Sequence, residues 1–281
     1  MKEARYVKIL EGKDLRCQLC PHECLIGPGE VGRCKVRRNI DGVLYTENYG
    51  KISAIHVDPV EKKPLRHFME GSKTLSLGSF GCNFHCPWCQ NYNISLEKPQ
   101  VETYSPEAIV DLALELGVPS ISYTYNEPTV FLEFVLDTAR LAKSKGLKNI
   151  YVSNGYIASE PLEDLLECID ACNLDVKTFD PFYYKKYCGG ELEWVKRTVE
   201  KAASKIHVEL TALLVTGVND KEEDLERMFR WIASVDPAIP LHLSRYFPTY
   251  HYHEEATSPQ WMVAVKELAD QYLKRVYLGN V

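Results

Sequence analysis

Thr74-Leu-Ser-Leu-Gly78-Ser-Phe-Gly81-Cys82-Asn-Phe-His-Cys86-Pro-Trp-Cys89-Gln-Asn91 runs from an apolar stretch of strand length straight into three cysteines spaced CxxxCxxC. Three thiolates in one short loop can hold three irons of a 4Fe-4S cubane and leave the fourth open. A closed structural metal site normally takes four protein ligands. Spacing alone leaves a zinc knuckle open as the alternative, completed by His85 or a distant residue. Position weighs against zinc, because the end of a barrel strand is where a catalytic cofactor belongs.

Downstream, apolar runs alternate with amphipathic ones. TLSLGS from Thr74, SISYTY from Ser120, NIYVS from Asn149, NLDVK from Asn173, HVELTALLV from His207 and LHLSRY from Leu241 read as strands. Helices fall between them. The stretch from Ser105 opens with a Ser cap and stops at Gly117, Val130 to Lys145 stops at Gly146, and Ser159 to Ala171 and Lys221 to Val235 read similarly. This pattern predicts an α/β fold, a partial or full (β/α) barrel of about six parallel strands over residues 71–281. Residues 1–70 are cysteine-rich and broken repeatedly by Gly27, Pro28, Gly29 and Gly32, and read as a small appended module.

With 33 Lys and Arg against 39 Asp and Glu, the 281-residue chain carries a formal charge of -6 and has no broad basic field for nucleic acid or anionic membrane. The amino terminus lacks the apolar core of a signal peptide, and VFLEFVLDTARL is interrupted by Glu133 and Asp137. The expected location is the cytoplasm. In a reducing compartment, clustered cysteines are metal ligands rather than disulfides. Cys17, Cys20, Cys24 and Cys34 form such a second group, suited to zinc or an additional iron-sulfur cluster, with His22 able to replace one of them. Cys168 and Cys172 read as small core residues, and Cys188, before Gly189-Gly190, as a loop residue with access to substrate.

The motifs at the strand ends resemble those of the radical S-adenosylmethionine (SAM) superfamily, in which an aromatic residue, here Trp88, precedes the third cysteine. Tyr125-Asn126-Glu127-Pro128 is similar to the Gly-Gly-Glu-Pro stretch that holds the methionine amine, and Ser153-Asn154-Gly155 resembles a ribose-contacting Thr-Asn-Gly. Asp175-Val176-Lys177 matches an Asp-x-Lys of glycyl-radical activating enzymes such as pyruvate formate-lyase activating enzyme, and His242, Ser244 and Arg245 fall where that group has SAM-facing residues. Within the superfamily, CQLCPHEC, PVEKKPLRHF, GCNFHCPWCQN, TYNEP, SRYFP and YLGNV resemble the AmmeMemoRadiSam-type proteins. Two departures stand out: Tyr125-Asn126 replaces two glycines, and many relatives carry a Cys-containing tail beyond the position of Val281.

The resemblance implies that Cys82, Cys86 and Cys89 hold a 4Fe-4S cluster which cleaves SAM to methionine and a 5'-deoxyadenosyl radical that takes hydrogen from a protein or small molecule. It implies a low-potential donor such as ferredoxin or flavodoxin, a carboxylate anchor in Lys177 or Arg245, and a monovalent cation near Asp175. Plainer readings stand beside these. Lys177 and Asp175 could be an internal ion pair, Glu127 a helix-start carboxylate, and His242 a satisfied core histidine. Glycyl-radical activation and a non-catalytic metal-binding protein are the alternative functions. The loops Phe179–Gly190 and Tyr246–Ser258 are the expected lid.

Overall fold

The computed structural model describes residues 1–281. Its centre is an eight-stranded sheet. In chain order the strands are β1 (Ala54–Pro59), β2 (Lys73–Gly78), β3 (Ser120–Tyr123), β4 (Lys148–Ser153), β5 (Ala171–Asp175), β6 (His207–Leu214), β7 (Leu241–Arg245) and β8 (Val276–Gly279). They also lie side by side in that order. From β2 onward every pairing is parallel, and β1 lies antiparallel to β2 from Ala54 opposite Gly78 to Pro59 opposite Lys73.

Parallel neighbours need long crossovers, and helices supply them. They are α1 (Pro106–Glu115), α2 (Leu132–Ser144), α3 (Ser159–Leu166), α4 (Leu192–Ala203), α5 (Glu222–Val235) and α6 (Pro259–Ala269). Ser105 caps α1 by accepting from the Ala108 amide at 3.2 Å. Every residue of β3 is buried, as expected of a strand covered on both faces.

The observed sheet exceeds the expected one by two strands and is open, since β1 and β8 are not paired with each other. β8 escaped the sequence reading because it is four residues long and only Val276 in it is buried. β1 lies inside the stretch read as the appended module. Its AIHVDP sequence exposes His56 and Val57 on an outer edge, so it lacks the apolar density of an inner strand.

The amino-terminal residues form two small antiparallel sheets. One joins Lys2–Glu3, Val43–Thr46 and Arg37–Ile40, and the other Val7–Ile9, Leu15–Cys17 and Leu25–Ile26. They dock on α2 through a buried ion pair between Arg37 Nη2 and Glu133 Oε1 at 2.5 Å, each side chain 1% exposed. Glu133 Oε1 also accepts from the Arg5 amide at 2.8 Å. Removing one partner of such a pair costs about 3–5 kcal/mol, because the other charge stays buried.

The segment PVEKKPLRHF closes the amino-terminal end of the strands. Asn173 on β5 donates to the Pro64 carbonyl at 2.8 Å, and Glu209 on β6 accepts from the Arg66 and His67 amides at 3.1 and 2.7 Å. Glu209 also accepts from His207 Nε2 at 3.0 Å and His242 Nε2 at 2.6 Å. These donors overcome the burial that would raise its pKa and hold the carboxyl at about 2. A depressed carboxyl stabilises the fold above its ordinary value and loses that contribution as the pH falls through the folded value. Glu209→Gln is therefore expected to be less stable than wild type at pH 7, with the difference shrinking between about pH 4.5 and pH 2. Urea midpoints across that range check it.

Candidate active site

The loop after β2 carries Cys82, Cys86 and Cys89, and the loops after the next three strands close around it. Gly78 starts the loop at a close approach: a Cβ there would stand 2.9 Å from Tyr125 Cβ. Asn126 holds the next turn, accepting from the Ser79 amide at 2.8 Å and donating to the Gly81 carbonyl at 3.1 Å. Asn91, just past the third cysteine, donates to the Tyr125 carbonyl at 2.8 Å.

Tyr125 itself has a φ of 70°, in the left-handed region that glycine adopts without strain. Its ring turns away from the cysteines, with the hydroxyl donating to Asp58 at 2.7 Å and Lys63 Nζ lying 4.6 Å from the ring centroid. Its backbone, and not its phenol, shapes the site.

Glu127 is 4% exposed and uses both oxygens. Oε1 accepts from the Thr129 amide (2.9 Å), the Thr129 hydroxyl (2.6 Å) and the Ser153 hydroxyl (2.7 Å), while Oε2 accepts from the Asn154 amide at 2.9 Å. Burial raises its carboxyl above the ordinary value and these donors pull against that shift. Asn154 in turn donates to Asn83 Oδ1 at 2.8 Å inside the cysteine loop, with Cys82 Sγ 3.9 Å from the same amide. Gly155, with a φ of 71°, accepts from the Thr198 hydroxyl at 2.8 Å through its carbonyl.

Lys177 Nζ pairs with Asp175 Oδ2 at 2.7 Å. Burial alone would lower the ammonium, but Asp175 and the neighbouring Cys86 hold it above its ordinary value. The neighbouring Cys188 thiol lowers the Cys86 thiol below its ordinary value, and Lys177 acts in the same direction. Trp88 is buried against Tyr187 and Tyr252, both at 5.5 Å between ring centroids, and the His251 amide donates to the Pro87 carbonyl at 2.9 Å. The loops Phe179–Gly190 and Tyr246–Ser258 thus meet over the cysteine loop.

His242 is not part of this group: it lies near the amino-terminal end of β7, bonded to Glu209. Its geometry is that of the satisfied core histidine. Ser244 Oγ accepts from the Asn280 amide at 3.0 Å, and Arg245 Nε donates to the Thr257 carbonyl at 2.7 Å, so β7 sends neither side chain to the cysteines through a hydrogen bond. His85 Nδ1 pairs with Arg33 Nη2 at 2.7 Å.

A family model described as the radical SAM superfamily matches residues 77–232, more than half of the chain and the whole of this site up to β6. The chain belongs to the radical SAM superfamily. An uncharacterized protein of Methanocaldococcus jannaschii is 41% identical over 288 residues, covering all of this chain and 86% of that protein. A second protein of that organism, named provisionally as a glycyl-radical enzyme activating enzyme, is 30% identical over 165 residues, 56% of this chain and 67% of its own length. A GTP 3',8-cyclase of Haemophilus influenzae is 27% identical over 161 residues, 54% of this chain, and the chain spans about half of the cyclase. Among solved structures, Streptococcus suis SuiB bound to its precursor peptide SuiA has a TM-score of 0.58 at 13% identity, covering 71% of this chain and 46% of SuiB. A domain of pyruvate-formate lyase-activating enzyme from Bacteroides vulgatus has 0.50 at 17%, covering 57% of this chain and 98% of that domain. These two likenesses establish the shared fold.

Radical SAM proteins use a 4Fe-4S cluster, and the donor set here suits one. The Phe84 amide donates to Cys82 Sγ at 3.3 Å and Lys177 places a cation by Cys86, both of which favour thiolates, while burial pushes the Cys82 and Cys89 thiols up in the metal-free protein. Asn83, Asn91 and Asp58 were given no role in the sequence reading, because nothing but the fold shows whom an amide or carboxylate will meet. Cys188 was visible as a cysteine, but not as the neighbour of Cys86.

Glu127→Gln replaces one acceptor oxygen with a donor and leaves either the Thr129 or the Asn154 backbone amide unpaired. The expected loss is about 1.5–3 kcal/mol of stability, read from denaturant midpoints.

Proposed function

We propose that the chain is a radical SAM enzyme in which Cys82, Cys86 and Cys89 ligate a 4Fe-4S cluster with one open iron. The observation that carries this reading is the meeting of those three cysteines, on one loop after β2, with Asn126, Ser153, Asn154, Asp175 and Lys177 at the carboxyl ends of adjacent strands. When bound, such a cluster supplies the electron that splits SAM into methionine and a 5'-deoxyadenosyl radical. The protein's work is to orient SAM and keep water and stray hydrogens out.

Lys177 is the cation that acts on the thiols, and in this reading it anchors the methionine carboxylate, while Arg245 is turned to Thr257. Ser153 and Asn154, fixed by Glu127, would meet the nucleoside. Asp175 would take a monovalent cation together with the bound carboxylate. A low-potential ferredoxin or flavodoxin is the proposed donor. The substrate is a protein backbone or small molecule, and similarity to the provisionally named activating enzyme favours a glycyl-radical partner as the specific case.

After anaerobic reconstitution and reduction with SAM, wild type is expected to form 5'-deoxyadenosine, and Ala at any one of Cys82, Cys86 or Cys89 to abolish it. Normal turnover by a folded single variant would remove the ligand assignment.

Phe182 is 67% exposed and packs at 5.6 Å on Tyr183, which in turn lies 5.7 Å from Tyr187. An aromatic cover of that kind shields a radical from quenching. Replacing Phe182 and Tyr183 together by Ala is expected to raise SAM cleavage uncoupled from product, with SAM affinity little changed. The ratio of 5'-deoxyadenosine to product measures it.

A further inference from the structure

Tyr125 is held in a backbone shape that its side chain does not favour. The Asn126 amide donates to the Thr124 carbonyl at 3.0 Å, so with a φ of 70° Tyr125 is the centre of a γ-turn of the rare, strained hand. A residue other than glycine keeps such a conformation only where its surroundings over-determine it. Here the side chain supplies the constraint.

The Tyr125 hydroxyl donates to Asp58 Oδ2 at 2.7 Å, and the same oxygen accepts from Lys63 Nζ at 2.7 Å. Lys63 is 3% exposed and stands 4.6 Å from the centroid of the phenol ring, and the His56 and Tyr125 rings meet almost perpendicularly at 5.9 Å. Burial would raise the Asp58 carboxyl, but Lys63 and Tyr125 hold it well below its ordinary value, so it remains an acceptor at neutral pH. His56 and Asp58 belong to β1 at the edge of the sheet, and Lys63 to the PVEKKPLRHF segment that follows it. The phenol therefore ties the turn after β3 to a rigid ion pair outside the site.

The strained peptide is in turn tied to both ends of the cysteine loop. The Tyr125 carbonyl accepts from Asn91, just past Cys89, at 2.8 Å, and Asn126 donates to the Gly81 carbonyl, just before Cys82, at 3.1 Å. A shift of Tyr125 moves the loop after β3 against all three thiols.

We propose that Tyr125 is a positioning residue whose phenol, fixed by Asp58 and Lys63, locks the turn that sets the loop after β3 against the cysteine loop, and so sets the seat of the methionine end of SAM. The assignment rests on the SAM chemistry proposed above. Glycine enters the same turn without strain, but no side chain would hold it there.

The test compares wild type, Tyr125→Phe, Asp58→Asn and Tyr125→Gly as full chains. In the metal-free protein, amide exchange over residues 123–127 is expected to be about 10-fold faster in Tyr125→Phe and Asp58→Asn than in wild type, the effect of one lost hydrogen bond to a charged group. After anaerobic reconstitution, SAM affinity, read from the response of the reduced cluster's paramagnetic signal, is expected to fall about 10-fold in either variant with the iron content unchanged. Asp58→Asn added to Tyr125→Gly is expected to change neither quantity further. Should Asp58→Asn fail to fold, Tyr125→Phe decides alone. A folded Tyr125→Phe with wild-type SAM affinity, or an Asp58→Asn effect that persists undiminished beside Tyr125→Gly, overturns the proposal. A wild-type cluster indifferent to SAM would sink the SAM chemistry and this role together, and the wild-type signal itself tells that failure apart from failure of the phenol anchor.

Discussion

Glu127 is the point on which the site's geometry depends. Its carboxylate is buried between the loops after β3 and β4 and accepts four hydrogen bonds from Thr129, Ser153 and Asn154. The penalty for burying such a group unpaired is large, so the two loops are held together by the need to satisfy it. Through Asn126 on one side and Asn154 on the other, the same clamp reaches Gly81 and Asn83 and sets the path of the cysteine loop. Glu127 is therefore a positioning residue.

The two ends of the sheet divide the labour. At the carboxyl end, the cysteine loop, the Asp175–Lys177 pair and the aromatic loops gather thiols, charged groups and aromatic rings. At the amino end, Glu209 binds two histidines and two backbone amides and holds the segment after β1 as a plug. A buried carboxylate satisfied this fully rigidifies its surroundings, which suits a scaffold that must hold its active end still.

Beyond these, the amino-terminal module is tied to the rest at two depths. The Arg37–Glu133 pair docks it on α2, and Cys34 and His22 touch the cysteine loop directly. The boundary drawn at residue 70 from composition follows the change in hydrophobic pattern. The chain, however, places Ala54–Pro59 in the main sheet, since an exposed edge strand with one buried face does not announce itself by apolar density.

Much of the site was legible in the linear sequence. The CxxxCxxC spacing, the alternation of apolar and amphipathic runs and the Ser105 cap are local properties, decided by residues a few positions apart, and they determined the α/β class, the superfamily and the loop that bears the cysteines. Which face His242 serves, whether Tyr125 offers its ring or its backbone, and which thiol stands next to Cys86 depend on partners up to a hundred residues away. So does the convergence of the four amino-terminal cysteines on one small chamber, because ligand type is written in the sequence but the distance between ligands is not. Those distances arise when separate strands and loops pack, and only the tertiary structure decides them.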